Sequence, residues 1–291
     1  MTEISAELAR KLSTAVEKMP AFPKSVQRIL EITRDINCKP KELVMVIEKD
    51  PVMTIKLLRI LNSAYYSFPD PITSVHQSVV YLGINTIKNM ALSFATAGVL
   101  PPHNDAGFDI HRYLTHSLTT ASLARMVCQK FGDGAVDPAD CHIAGLLHDF
   151  GKVVFAQFMP TEFKEALALS EEHGTSLHAT ETRVIGADHS IVGAMLVEKW
   201  QFPKMLSDTI RHHHSDISPE NRVQCHLFVA DQISKKLSMD SGSNPMVEEL
   251  PPALARGFGG TMDDIIARLG DLSKILEEAE LFTKGSKEGT A

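Results

Sequence analysis

Apolar residues in this chain recur at intervals of three and four, and over the first hundred residues no sustained alternation of period two appears. A helix returns to the same face every 3.6 residues and a strand every two, so this spacing calls for helices and excludes a sheet. Leu8, Leu12 and Val16 form one stripe, Val26, Ile29, Leu30 and Ile32 a second, and Leu43, Val44, Val46 and Ile47 a third. The expected fold is all-α.

Proline, glycine and capping residues punctuate the stripes. Met19-Pro20-Ala21-Phe22-Pro23 stops the first helix, because prolines hold themselves and their predecessors in extended backbone. Asp50-Pro51 and Asp137-Pro138 each place a capping carboxylate before a proline at the first helical position, where no amide donor is needed. Ser74 with Gln77 fits a capping box, and Gly83 supplies the stop. Helices are expected from Asn85 to Val99, His111 to Lys130, Pro138 to His148, Pro160 to His173, Lys204 to His214 and Val223 to Leu237. The organisation read from this is a docking helix over 1–18, a main domain over 19–238 and a C-terminal region over 239–291. The main domain has a helical lobe over 19–100 and a second lobe over 108–238. The C-terminal region is read as a linker to Pro252, a helix or helix pair over 261–282 and a disordered tail from Thr283.

Composition narrows the function classes. A chain of 291 residues with 44% hydrophobic content can bury a substantial core. The net charge of −7 and the lack of a lysine or arginine cluster argue against a nucleic-acid surface. Residues 1–10 carry acids and no apolar run, which excludes a secretory signal, and later apolar runs are too interrupted to span a bilayer. Four cysteines, Cys38, Cys128, Cys141 and Cys225, show no Cys-x-x-Cys spacing, so the sequence indicates neither a disulfide framework nor a thiolate zinc site, and a reducing cytoplasm fits. Thirteen histidines point towards metal or proton chemistry.

The stretch Ala144-Gly145-Leu146-Leu147-His148-Asp149-Phe150-Gly151-Lys152 ends a small, apolar run in an imidazole beside a carboxylate. Burying such groups without partners costs roughly 2–7 kcal/mol each, so the pair either caps a helix and bonds to backbone or holds a ligand. Other polar residues fall on inward helix faces or beside them. His116 shares a face with Leu123 and Val127; His189 shares one with Gly193, Leu196 and Trp200; His213, His214 and Asp231 follow. Imidazoles and carboxylates brought together by facing helices suit iron, manganese, zinc or similar divalent ions. Gly145 to Lys152 is not a phosphate loop, since five residues separate its glycines and Val153 replaces the hydroxyl; no His-Glu-x-x-His occurs; and no Gly-Tyr-Pro follows the histidine pair. His142, His178 and His226 fit no ligand position and read as structural or exposed.

The proline-bracketed start, Glu48-Lys49-Asp50-Pro51, Lys56-Leu57-Leu58-Arg59, Asn62-Ser63-Ala64 and Tyr81-Leu82-Gly83 resemble the HDOD family, the HD-related output domain of bacterial signalling proteins, and the resemblance runs through the His-Asp stretch to Asp231. Met19 stands where leucine is more usual. The resemblance implies a two-lobed helical bundle of the HDOD and HD-domain type. It also implies a complete ligand set of the wider superfamily of metal-dependent phosphohydrolases. One metal would sit on His116, His148, Asp149 and Asp231; a second would sit on His189, His213 and His214, with Asp149 bridging. Iron or manganese comes ahead of zinc or nickel. Such a pair would activate water near neutral pH and clamp a phosphate ester. Asp149 and Lys152 are the catalytic candidates: Lys152 would meet a substrate phosphate, against the plainer reading of a solvated lysine at a helix end. The implied role is regulatory, through contact with a signalling partner. The alternative is an active hydrolase of a nucleotide or other phosphate ester. The missing Gly-Tyr-Pro leaves a cyclic dinucleotide substrate unsupported.

Overall fold

The computed structural model describes residues 4–33, 38–215, 217–237 and 246–287. Every regular element among them is a helix: α1 (Ala6–Lys18), α2 (Lys24–Thr33), α3 (Pro40–Glu48), α4 (Pro51–Leu61), α5 (Val75–Leu82), α6 (Ile84–Gly98), α7 (Ile110–Phe131), α8 (Pro138–Leu147) and α9 (Phe150–Phe158). They continue with α10 (Pro160–His173), α11 (Leu177–Val184), α12 (His189–Lys199), α13 (Lys204–Arg211), α14 (Arg222–Lys236), α15 (Pro252–Phe258), α16 (Met262–Leu269) and α17 (Ser273–Lys287).

Side-chain caps start many of these helices, satisfying amides that have no partner within the helix. Asp50 accepts from the Met53 amide, Asp137 from Ala139, and Asp188 from Ser190 and Ile191. Ser74 accepts from the Gln77 amide as the capping box requires, but Gln77 Oε1 returns to the amide of Thr73, one residue earlier than expected. Gly83, with φ of 79°, ends α5 in a backbone region that favours glycine.

Contacts divide the chain into two compact units: one holds the described residues of Met1–Pro20 and Leu100–Ile275, the other those of Ala21–Val99 and Leu276–Ala291. In the larger unit α7 packs along α8 and α14, while α12 packs on α9 and α13. Tyr113, Phe150, Phe155 and Phe163 fill its centre with full burial. The first helix is bound into this unit. Lys199 Nζ donates to the carbonyls of Val16, Glu17 and Met19, and Trp200 Nε1 to that of Pro20, so a cation and an indole satisfy the end of α1. The smaller unit buries Phe22, Val26, Ile29, Leu43, Ile47, Leu57, Leu61 and Ile87. Asn62 exchanges two hydrogen bonds with the backbone of Ile72, closing the loop before α5.

The structure departs from the sequence expectation in several places. Short helices α11 and α15 occupy stretches in which none was expected. The helix expected to reach His214 ends at Arg211: the His212 amide keeps its bond to Asp208, but that of His213 turns to Ile210 three residues back, and both imidazoles bond to the same two carbonyls. At the C-terminus two helices, α16 and α17, occupy the stretch read as one helix or two, and α17 continues through residues 283–287 of the expected disordered tail. Residues 288–291 lie outside the described residues, as do 238–245 of the linker.

Candidate metal centre

His148 and Asp149 lie at the junction of α8 and α9, and Asp149 occupies the N-cap position of α9 with no side-chain capping bond. Its carboxylate is therefore not spent on the helix amides, and meets Lys152 and the surrounding imidazoles instead. Tight backbone packing holds the junction in place. A Cβ on Gly151 would penetrate the carbonyl oxygen of His189, and one on Gly145 would come within 2.7 Å of the Ala121 Cα. These two contacts set α9 against the start of α12, and α8 against α7.

The two oxygens of Asp149 face different sets of imidazoles. Oδ2 is 3.5 Å from His116 Nε2 and 3.4 Å from His148 Nε2, and Asp231 Oδ1 lies 3.3 and 3.7 Å from the same two nitrogens. Oδ1 is 3.0 Å from His189 Nε2 and 3.7 Å from His213 Nε2, and His214 Nε2 is 2.9 Å from that of His189. All seven ligand candidates thus come together, in two groups that meet at Asp149. Lys152 is buried, with Nζ 2.7 Å from Asp149 Oδ2, so it is not a solvated lysine at a helix end.

The far side of four of the five rings is held as a metal ligand requires. Nδ1 of His148 donates to the Gly145 carbonyl, and that of His213 to Ile210. His189 Nδ1 donates to Glu181 Oε2 at 2.6 Å, and His116 Nδ1 bonds to Ser234 Oγ. These bonds turn the Nε2 atoms inward.

Burial alone would raise Asp149, yet His148, Lys152 and the nearby imidazoles of His189 and His213 hold its carboxyl well below the usual range. Asp231 is lowered likewise, against burial, by Lys235, His116 and His148. His189 resists its own burial and rises to about 9 under Glu181 and Asp149. His213 and His214 are pushed down, first by burial and then by neighbouring imidazoles.

These groups fit a cation. His213 Nε2 and Asp231 Oδ1 are fully buried without a hydrogen-bond partner, a costly state that coordination removes. The facing nitrogens of His189 and His214 need a proton or a metal between them. Three buried carboxylates, Asp149, Asp231 and Glu181, face two buried ammonium groups, Lys152 and Lys235.

Glu181, Lys235 and Ser234 escaped the sequence reading. Glu181 is on α11, and nothing in its local sequence marks its bond to a ring eight residues later. His178, read from the sequence as structural or exposed, stacks on His214 with ring centroids 4.3 Å apart. His142 and His226 are buried.

A family model described as the HDOD domain matches residues 19–216. An uncharacterized protein of Treponema pallidum (strain Nichols) is 25% identical over 216 residues, covering 73% of this chain and 41% of the relative. Ribonuclease Y of Opitutus terrae is 27% identical over 162 residues, covering 56% of this chain and 22% of the relative. The chain therefore spans less than half the length of either curated relative. Among solved structures, an HDOD domain protein of unknown function from Geobacter sulfurreducens shares the fold, with a TM-score of 0.78 over 96% of this chain and 97% of the other at 24% identity.

Proposed function

The chain belongs to the HDOD domain family, and we propose that it is a bacterial-type regulatory protein that binds divalent metal at the His/Asp cluster and acts through contact with a signalling partner. The observation that carries the metal reading is the division of Asp149, whose Oδ2 faces His116 and His148 while Oδ1 faces His189 and His213. A carboxylate shared in this way supports a binuclear centre. His116, His148, Asp149 and Asp231 would hold one ion, and His189, His213, His214 and Asp149 the other. Five imidazoles and two carboxylates suit a divalent transition metal, and the family resemblance puts iron or manganese ahead of zinc or nickel.

Two features favour a regulatory role. Six of the seven ligands are nearly sealed, since none of His116, His148, Asp149, His189, His213 and Asp231 exceeds 5% exposure, and His214 is half-buried. The smaller unit holds no candidate ligand, yet Val52, Ile55, Val80 and Tyr81 on α4 and α5 are 58–70% exposed. Apolar side chains left in water in this way suit contact with another protein. No helix among the described residues is long and apolar enough to cross a membrane, and the regulatory reading places the protein in the cytoplasm, with no nucleic-acid partner.

Lys152 supports the second reading, a metal-dependent phosphohydrolase. Its buried ammonium, fixed on the shared carboxylate, would stand where a phosphate ester meets the ions. Bound metal would supply Lewis acidity and activated water. Elemental analysis of the purified full chain, with His148→Ala beside it, tests the metal claim. Wild type should carry transition metal and the variant should carry clearly less of it; equal metal content would overturn the claim. The metal-loaded chain should be inert towards a broad panel of phosphate esters, and turnover abolished by Lys152→Ala would replace the regulatory reading with the hydrolase.

A further inference from the structure

The three helices that carry His116, His148 and Asp231 carry a second set of ligand-bearing side chains. Cys128 lies twelve residues after His116 on α7, Cys141 seven before His148 on α8, and His226 five before Asp231 on α14. Ala121 packs on Gly145, and Cys128 meets Cys141, so α7 and α8 run antiparallel and the second set forms a level of its own. It is set off from the first by about 18 Å along α7, 10 Å along α8 and 8 Å along α14.

At the second level one ligand atom from each of Cys128, Cys141 and His226 lies within 4.8 Å of the other two. The exposures are 4%, 0% and 6%. His226 Nδ1 donates to the Arg222 carbonyl at 2.5 Å, which leaves the lone pair on Nε2, the arrangement a metal-ligating histidine adopts. Zinc–sulfur and zinc–nitrogen bonds of ordinary length place such atoms about 3.5–3.8 Å apart in a tetrahedron, so closure asks for a movement of about 1 Å. Without a cation, burial pushes both thiols up, and Asp137 and Asp140 push them further. The same negative field draws a cation, which would deprotonate the thiols on binding.

We propose that Cys128, Cys141 and His226 form a separate site for a thiophilic ion of the zinc type, tying α7, α8 and α14 together, with one coordination position left to water or an outside ligand. The site needs nothing from the His/Asp centre. It carried no signal in the sequence because its ligands come from three helices and share no short spacing. The plainer alternative is that the two cysteines pack as small apolar residues and His226 only caps a turn.

Cobalt(II) titration of the metal-free, reduced full chain under anaerobic conditions separates these. Sulfur-to-cobalt charge-transfer absorption should appear and saturate with one bound ion, and zinc should bleach it; the His/Asp centre contains no thiolate and cannot produce that band. Cys128→Ser and Cys141→Ser should each abolish it. Cys225→Ser should keep it, since Cys225 is not among the three residues whose ligand atoms converge. Should the serine variants not fold, zinc added to wild type should slow alkylation of Cys128 and Cys141 by roughly tenfold or more while leaving Cys38 unchanged. Absence of the band in wild type, a band that survives Cys141→Ser, or alkylation rates indifferent to zinc would overturn the site.

Discussion

The two units use the same kind of capped amphipathic helix, yet only one of them gathers its buried titratable groups into a cluster. The smaller unit closes over aliphatic side chains such as Ile47, Leu57 and Leu61, with Lys88 buried on α6. The larger one has an apolar core of its own, with Tyr113, Phe150 and Phe155, and adds to it a buried cluster of imidazoles, carboxylates and ammonium groups. Apolar burial contributes stability wherever the chain is folded. A buried cluster of charged and polar groups does so only when each group is paired, and here the pairing is incomplete without a cation. The smaller unit should therefore set a baseline stability, and the larger one should depend on what is bound.

The strongest way to sharpen that contrast is Leu57→Ala. It should lower unfolding free energy by about 2–5 kcal/mol in denaturant titrations while leaving metal stoichiometry untouched. A parallel loss of metal would break the separation. Next comes Glu181→Gln, which weakens the acceptor that orients His189. Metal affinity should fall about 10- to 100-fold in competition with a chelator. An unchanged affinity would reduce Glu181 to a packing residue. The smallest effect belongs to Ser74→Ala, which removes the cap of α5. It should cost about 1 kcal/mol in thermal unfolding and nothing in metal content.

Much of the architecture was legible because caps and prolines act locally: Asp50, Asp137 and Gly83 lie where the helix boundaries fall. Short helices were not. Over α11 the eight residues Leu177–Val184 alternate too many polar and apolar positions to show a clean stripe. The seven ligand candidates could be read as a set, but their supports could not. Lys152 is buried because Phe150, Val153, Val154 and Phe155 make α9 apolar on all sides, which one lysine in a sequence does not announce. Glu181 and Lys235 depend on tertiary neighbours. The thiol cluster was passed over for the same reason, since spacing rules detect only ligands that are close in sequence.

The central claim is that Asp149 joins two metal-binding groups. X-ray diffraction from crystals of the full chain, recorded on either side of the absorption edge of the metal found by elemental analysis, tests it most directly. The expected result is anomalous density on both sides of the Asp149 carboxylate, one peak among His116, His148 and Asp231 and the other among His189, His213 and His214. Crystals that carry the metal elsewhere, with no anomalous density at Asp149, would contradict the account.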